Sequence, residues 1–105
     1  MADNDVAVAD APERDRYEVT LDGELAGFAR YVQRGGRTFF VHTEIDPEFE
    51  GHGLGSKLAA GALDAERAAG HTIVPLCPFV RSYIDRHPDF LDLIDQELLA
   101  RIDGG

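Results

Sequence analysis

The 105-residue sequence predicts a mixed α+β fold in which antiparallel strands come first and a strand–helix–strand crossover follows, and three observations carry that expectation. Between Arg16 and Ile45, apolar-rich segments of strand character are separated by Asp22-Gly23 and Gly35-Gly36, both two-residue turn signals. From Leu54 onward the apolar spacing changes to three and four residues, the period of a helix. A β-branched run, "HTIVP", then follows a glycine placed to end that helix.

The elements follow in order. Residues 1–14 are small and acidic and contain Pro12, a composition too poor in apolar surface to offset the entropy of ordering. They are expected to form a disordered acidic tail, leaving one domain over 15–105. "YEVTLDG" alternates Tyr17, Val19 and Leu21 with polar neighbours, and Asp22-Gly23 turns it into "ELAGFARYVQRGG" as an antiparallel partner. "RTFFVHTEID" is rich in β-branched and aromatic residues and makes a third, more buried strand that stops at Asp46-Pro47. In "LGSKLAAGALDAERAAG", Leu54, Leu58, Ala62, Ala65 and Ala69 form an apolar stripe, and Gly70 terminates the helix. "HTIVP" is too short for a helix, so it is read as a buried strand, paired in parallel with the third through a crossover. "PFVRSYIDRH" opens on proline and reads as a short helix ended by Pro88, and "FLDLIDQELLARI" has room for a further helical turn or two.

The totals exclude several function classes. A formal charge of −10 argues against a general nucleic-acid binder, because such affinity comes from cations neutralising phosphates. The charge is uneven: residues 1–18 and 85–105 each hold six acids against two arginines, whereas the stretch between holds eight acids against six bases. An anionic small ligand is therefore admissible near the middle of the chain. The single cysteine, Cys77, excludes an internal disulfide, and the N-terminus has neither a basic start nor a signal-length apolar stretch. No run approaches the roughly 20 apolar residues that span a membrane. The expectation is a cytoplasmic protein without membrane or direct nucleic-acid partners, monomeric by default. His42, His52, His71 and His87 are scattered with no second cysteine, so no metal site is expected.

Function concentrates in "EFEGHGLGSKLAAG". A helix start carries unpaired N–H groups and the positive end of the macrodipole, and glycines at 51, 53 and 55 clear the approach for a phosphate. The stretch is neither a Walker loop nor a full dinucleotide fingerprint, and by itself it also fits a tight connection. On "FFVHTEI", period-two alternation places Phe40, His42 and Glu44 on one face, with the imidazole and carboxylate about 7 Å apart, a spacing that suits an acid/base pair. The alternative is a solvated carboxylate beside a hydrogen-bonded strand histidine. Cys77 precedes a helix beginning at Pro78; it is either a thiol activated by the helix dipole, able to attack a thioester, or an inert buried thiol.

The stretch "IDPEFEGHGLGSKLAAGAL", set between a strand and a helix, resembles the central motif of the GNAT superfamily of acyl-CoA-dependent N-acetyltransferases. Ile45, Pro47 and Phe49 fill its leading positions, and Gly53 and Gly55 its two small-residue positions. Glu50 stands where the family carries Arg or Gln, and its carboxylate would repel a pyrophosphate. The likeness runs from about His42 to Phe90 and is closest to small, truncated GNAT-like proteins, with "VHT", a cysteine after the next strand, and Tyr83, Arg86, His87, Pro88 and Phe90 closing the pattern. The resemblance implies a minimal GNAT-like fold, acetyl-CoA as cosubstrate, and transfer of an acetyl group to an amine acceptor of unknown identity, a small molecule or a protein lysine. It implies CoA contacts from Gly51, His52, Gly53, Leu54, Gly55, Ser56 and Lys57, with Arg81 and Arg86 as further phosphate partners. His42, Glu44, Cys77 and Tyr83 become the catalytic candidates, Tyr83 either as the acid that protonates the departing CoA thiolate or, with its apolar neighbours Val80 and Ile84, as a core residue. The chain lacks the final strands and N-terminal helices with which larger GNAT enzymes build an acceptor pocket. That lack, together with Glu50, supports the alternative of a non-catalytic CoA-binding or protein-interaction module on the same fold.

Overall fold

The computed structural model describes residues 5–104. Five strands form one sheet in chain order: β1 (Val6–Ala11), β2 (Arg16–Leu21), β3 (Glu24–Arg34), β4 (Arg37–Ile45) and β5 (Thr72–Pro75). The first four pair antiparallel and β5 joins β4 in parallel, as a strand returning after a crossover helix should. That helix, α1 (Leu54–Ala69), packs across β1 to β4 on one face of the sheet, and α2 (Pro78–Arg86) lies beside it against β4 and β5. Phe40, Leu58, Leu63, Ile73 and Ile84 are fully buried between these layers. Asp22 and Gly23 both take positive φ, 51° and 85°, the geometry with which a two-residue turn matches strand twist. After α2 a 3-10 helix (Pro88–Leu93) leads Ile94 into a bridge beside Ile73, and α3 (Gln96–Ile102) follows. Asp95 caps α3 by accepting the N–H of Leu98 at 3.0 Å, and Arg37 reaches the same carboxylate at 2.8 Å. None of the helices among the described residues is long and apolar enough to cross a membrane.

The acidic tail expected over residues 1–14 is corrected from Val6 onward; its first four residues lie outside the described ones. Val6–Ala11 pairs along the whole of β2, from Val6 against Leu21 to Ala11 against Arg16. Composition judged the segment by its own apolar content, but β2 supplies backbone partners and α1 supplies the apolar surface. Val6 and Val8 pack against the core, and Val8 sits so close to α1 that a Cβ at Gly61 would stand 2.8 Å from its own Cβ. The Tyr31 hydroxyl donates to Asp10 at 2.6 Å, and the N–H groups of Asp5 and Asp22 tie the strand's other end to the first hairpin.

A second correction concerns β4. Arg30 pairs with His42 and Tyr31 with Phe40, so Val41 is an extra residue in a bulge. One inserted residue reverses every face beyond it. Thr38 and Phe40 point into the core, and after the bulge Thr43 and Ile45 take over the helix-facing side. Phe40 therefore does not share a face with His42 and Glu44. The stripe of α1 is also rotated in its second half: Leu63 and Glu66 are buried there, while Ala65 and Ala69 face solvent.

Candidate functional site

The glycine stretch makes a loop with exposed backbone donors. Asp46 accepts the N–H of Glu48 at 3.0 Å and starts a 3-10 turn, Pro47–Phe49, which delivers the chain to Gly51. Gly51 and Gly53 take φ of 93° and 69°, a region that L side chains rarely adopt, and a Cβ on either would meet open space. Their requirement is thus conformational, and it turns the loop into the N-terminus of α1. Gly53 is the N-cap and contributes no side-chain acceptor. The first helical bond runs from the Lys57 N–H to the Gly53 carbonyl at 3.3 Å, which leaves the preceding amides of the first turn without an intrahelical acceptor. Ile45, Phe49, Glu50, Gly51, Gly53 to Ser56, and Phe79 line an open depression of about 320 Å³ in front of these donors. His52 and Lys57 are exposed on the loop and the first turn. An anion fits this donor set.

The depression adjoins an open strand edge. β5 pairs with β4 only through Phe40, because the N–H groups of Leu76 and Cys77 both turn in to the Phe40 carbonyl at 3.0 and 2.8 Å. The segment Val41–Ile45 consequently has β3 on one side and no strand on the other among the described residues. Cys77 is buried at the N-cap of α2, its Sγ 3.3 Å from the Thr43 Oγ1 that the bulge turns inward. Phe79, the second residue of α2, lays its ring on the start of α1: a Cβ at Gly55 would stand 2.7 Å from the Phe79 Cζ. Gly55 is therefore explained by a ring contact, unlike Gly51 and Gly53.

The profile of the GCN5-related N-acetyltransferases matches residues 16–93, about three quarters of the chain. This chain belongs to that family. Among solved structures, the solution NMR structure of a GCN5-like protein from Staphylococcus aureus superposes with a TM-score of 0.64 at 17% identity, covering 84% of this chain and 86% of the other. At that identity the match speaks for the fold alone, a small GNAT-like mixed sheet with helices. No curated protein sequence matches the chain. Membership of the GNAT family generally implies acetyl-CoA as cosubstrate, and the uncapped amides and open approach at the start of α1 are suited to its pyrophosphate.

The other residues expected at a GNAT site separate into four groups. Cys77, with Thr43, lies on the helix side of the sheet near the open edge. His42 and Glu44 do hydrogen-bond, Nε2 to Oε2 at 2.8 Å, but they stand on the opposite face, with side chains 55% and 62% exposed and the imidazole near Phe28. The bulge at Val41 is the reason: it aims Thr43, and not His42, at Cys77. Arg81 and Arg86 are directed away from the glycine loop. Arg81 donates to the Pro75 carbonyl and to Asp103, and Arg86 to Ser82. Tyr83 is buried at the far end of α2, stacked on His87 at 4.0 Å and packed near Phe90. Burial, and after it the Asp64 carboxylate, pushes its phenol above the usual range against a smaller opposing effect of Arg86, so it is protonated at neutral pH.

Three features escaped the sequence reading of this GNAT chain. Thr43 is not among the residues the sequence singles out, and only the bulge reveals that its face is the one that meets Cys77. Phe79 has no role in the sequence reading, yet it is 37% exposed and walls the cradle. Glu66 interrupts the apolar stripe of α1 and is 1% exposed, accepting from Tyr17 and Thr38 hydroxyls at 2.5 Å each and meeting His71 Nδ1 at 2.8 Å. Its position three residues after Leu63 is the signal that would have found it: a carboxylate in register with buried positions needs partners.

Proposed function

We propose that this protein is an acetyl-CoA-dependent N-acetyltransferase in which the Gly51–Ser56 loop holds the CoA pyrophosphate and the thioester lies along the free edge of β4. The observation that carries the reading is the adjacency of uncapped helix-start amides, an unpaired strand edge and the buried Cys77–Thr43 pair, in a chain of the GNAT family. Helix-start N–H groups favour the pyrophosphate by hydrogen bonding and by the dipole. Backbone N–H groups on the free edge of β4 are suited to orient the cosubstrate and to stabilise charge on the thioester oxygen as the carbonyl is attacked. A neutral amine attacks that carbonyl, the bond to sulfur breaks, and the CoA thiolate takes up a proton while the amine loses one. The outward direction of His42 and Glu44 argues for removal of the amine proton through solvent, with Cys77 lining the thioester site or holding the acetyl group in transit. In the second route the Cys77 sulfur attacks first, CoA leaves as the thiol, and the amine then displaces Cys77.

Amide shifts during titration with CoA and with acetyl-CoA test the cradle: the expected responders are Gly51 to Lys57, and an unmoved loop at millimolar ligand sinks the reading. Intact mass after incubation with acetyl-CoA decides the route, since a gain of one acetyl group that Cys77→Ala abolishes marks the covalent one. A non-catalytic CoA-binding module remains the competing reading because Glu50 borders the depression with its carboxylate. Binding of acetyl-CoA with no turnover on a panel of small amines and lysine peptides would select it.

A further inference from the structure

Phe79 is the one side chain that lines both the glycine-loop depression and an apolar recess behind it. The recess is walled by Ala29, Phe40, Thr43, Ala59, Ala62 and Leu63, among others, and leaves no room for a water-sized molecule. Three alanines, one on β3 and two on α1, line it, and of its aromatic side chains Phe40 is buried whereas Phe79 is 37% exposed. The ring rests on Gly55 and is partly open to solvent, while the buried contacts of α2 are made by Val80, Tyr83 and Ile84, so truncating the ring leaves the seat of α2 in place. Thr43 also lines the recess and touches Cys77, which brings the recess to the same strand edge that the thioester is assigned.

We infer that Phe79 is an acyl-length gate: it closes an apolar acyl subsite between α1 and β4 and restricts the protein to short acyl-CoA thioesters, a specificity that rests on the CoA reading given above. With the ring in place the recess admits no additional methylenes. With the ring removed, a longer acyl chain enters among Ala29, Ala59 and Ala62, where each buried methylene is worth about fourfold in affinity. Gly55 belongs to the same device, because a methyl there collides with the ring tip and displaces the gate without deleting it.

The test has two arms on the full chain. In the first, xenon is dissolved into Phe79→Ala and parent protein and the methyl resonances of Ala29, Ala59 and Ala62 are followed. The expected result is xenon-dependent shifts in the variant and none in the parent; their absence from the variant overturns the gate. In the second, affinities for acetyl-CoA and butyryl-CoA are compared. The butyryl-to-acetyl ratio is expected to rise about tenfold in Phe79→Ala, and an unchanged ratio overturns the assignment. If neither thioester binds either protein, the CoA reading fails and the acyl assignment falls with it, and the xenon arm shows separately whether Phe79 covers a recess. Should Phe79→Ala not fold, Phe79→Val serves in both arms, with shifts and a rise in the ratio of the same sign expected and the same results counting against the gate.

Discussion

The two ends of α1 solve opposite problems. At its start the backbone donors of Leu54 to Ser56 face an open depression, with a glycine at the cap and no side chain to satisfy them. Toward its end a carboxylate is sealed from water, and every group around it has a partner: Tyr17, Thr38 and His71 converge on Glu66, with Gln33 at 3.5 Å, and no buried side-chain polar atom among the described residues lacks a hydrogen bond. Burial, and after it the Glu66 carboxylate, pushes the Tyr17 phenol well above its usual range, so it is protonated and donates at neutral pH. Polar groups that are buried and satisfied specify a structure, whereas polar groups that are exposed and unsatisfied await a ligand. A single helix joins the two, and the structural end holds the binding end in register with the sheet.

The largest expected effect comes from breaking the closed end. Glu66→Ala leaves the Tyr17 and Thr38 hydroxyls without their acceptor at a cavity and should lower stability by about 3–5 kcal/mol in urea unfolding. Glu66→Gln keeps the volume and one acceptor oxygen and should cost less. A Glu66→Ala variant as stable as the parent would show that the network is ornamental. At the open end, Gly53→Ala forces a side chain into left-handed backbone and should cost about 1–2 kcal/mol, with a fall of tenfold or more in CoA affinity measured by calorimetry. Loss of stability without loss of binding would disconnect the loop's conformation from the ligand.

A smaller effect is expected from Glu50→Arg, which replaces a carboxylate at the rim by the cation usual in the family. CoA affinity should rise by about threefold to tenfold at low ionic strength, and the gain should shrink in 0.5 M salt as screening sets in. Equal affinities at low salt would show that Glu50 turns away from the ligand. The smallest lies outside α1. The Leu98 N–H, and after it Arg37, hold the Asp95 carboxyl below the usual carboxylate range. A depressed carboxyl stabilises the docked C-terminal helix fully above about pH 4, and that contribution is lost as pH falls further. Protection of the α3 amides, after correction for the intrinsic exchange rate, should fall below about pH 4 in the parent more than in Asp95→Asn, whose cap does not titrate.

Much of this architecture was legible beforehand. The turn at Asp22-Gly23, the helical period from Leu54, the proline opening α2 and the β-branched strand before it are all local signals, contained within a few residues. The glycine loop was legible for the same reason, since positive φ and an uncapped helix start are properties of adjacent residues. The faces of β4 were not, because the extra residue at Val41 is set by how β3 and β4 pair, and period-two alternation assumes that no such residue exists. That one bulge separates His42 and Glu44 from the cleft and brings Thr43 to Cys77.

The sequence by itself determined the order of the elements from β2 onward, their turns, the α+β class and the glycine loop that opens α1. Tertiary structure alone decided that Val6–Ala11 is a strand, that Glu66 is a buried acceptor, that Gly55 serves Phe79, and which face of β4 meets the helices. The division has one physical cause. Turn chemistry and helical period arise from interactions between neighbours along the chain, whereas an edge strand, a bulge and a buried carboxylate are each stabilised by partners tens of residues away, which act only once the sheet and α1 have met.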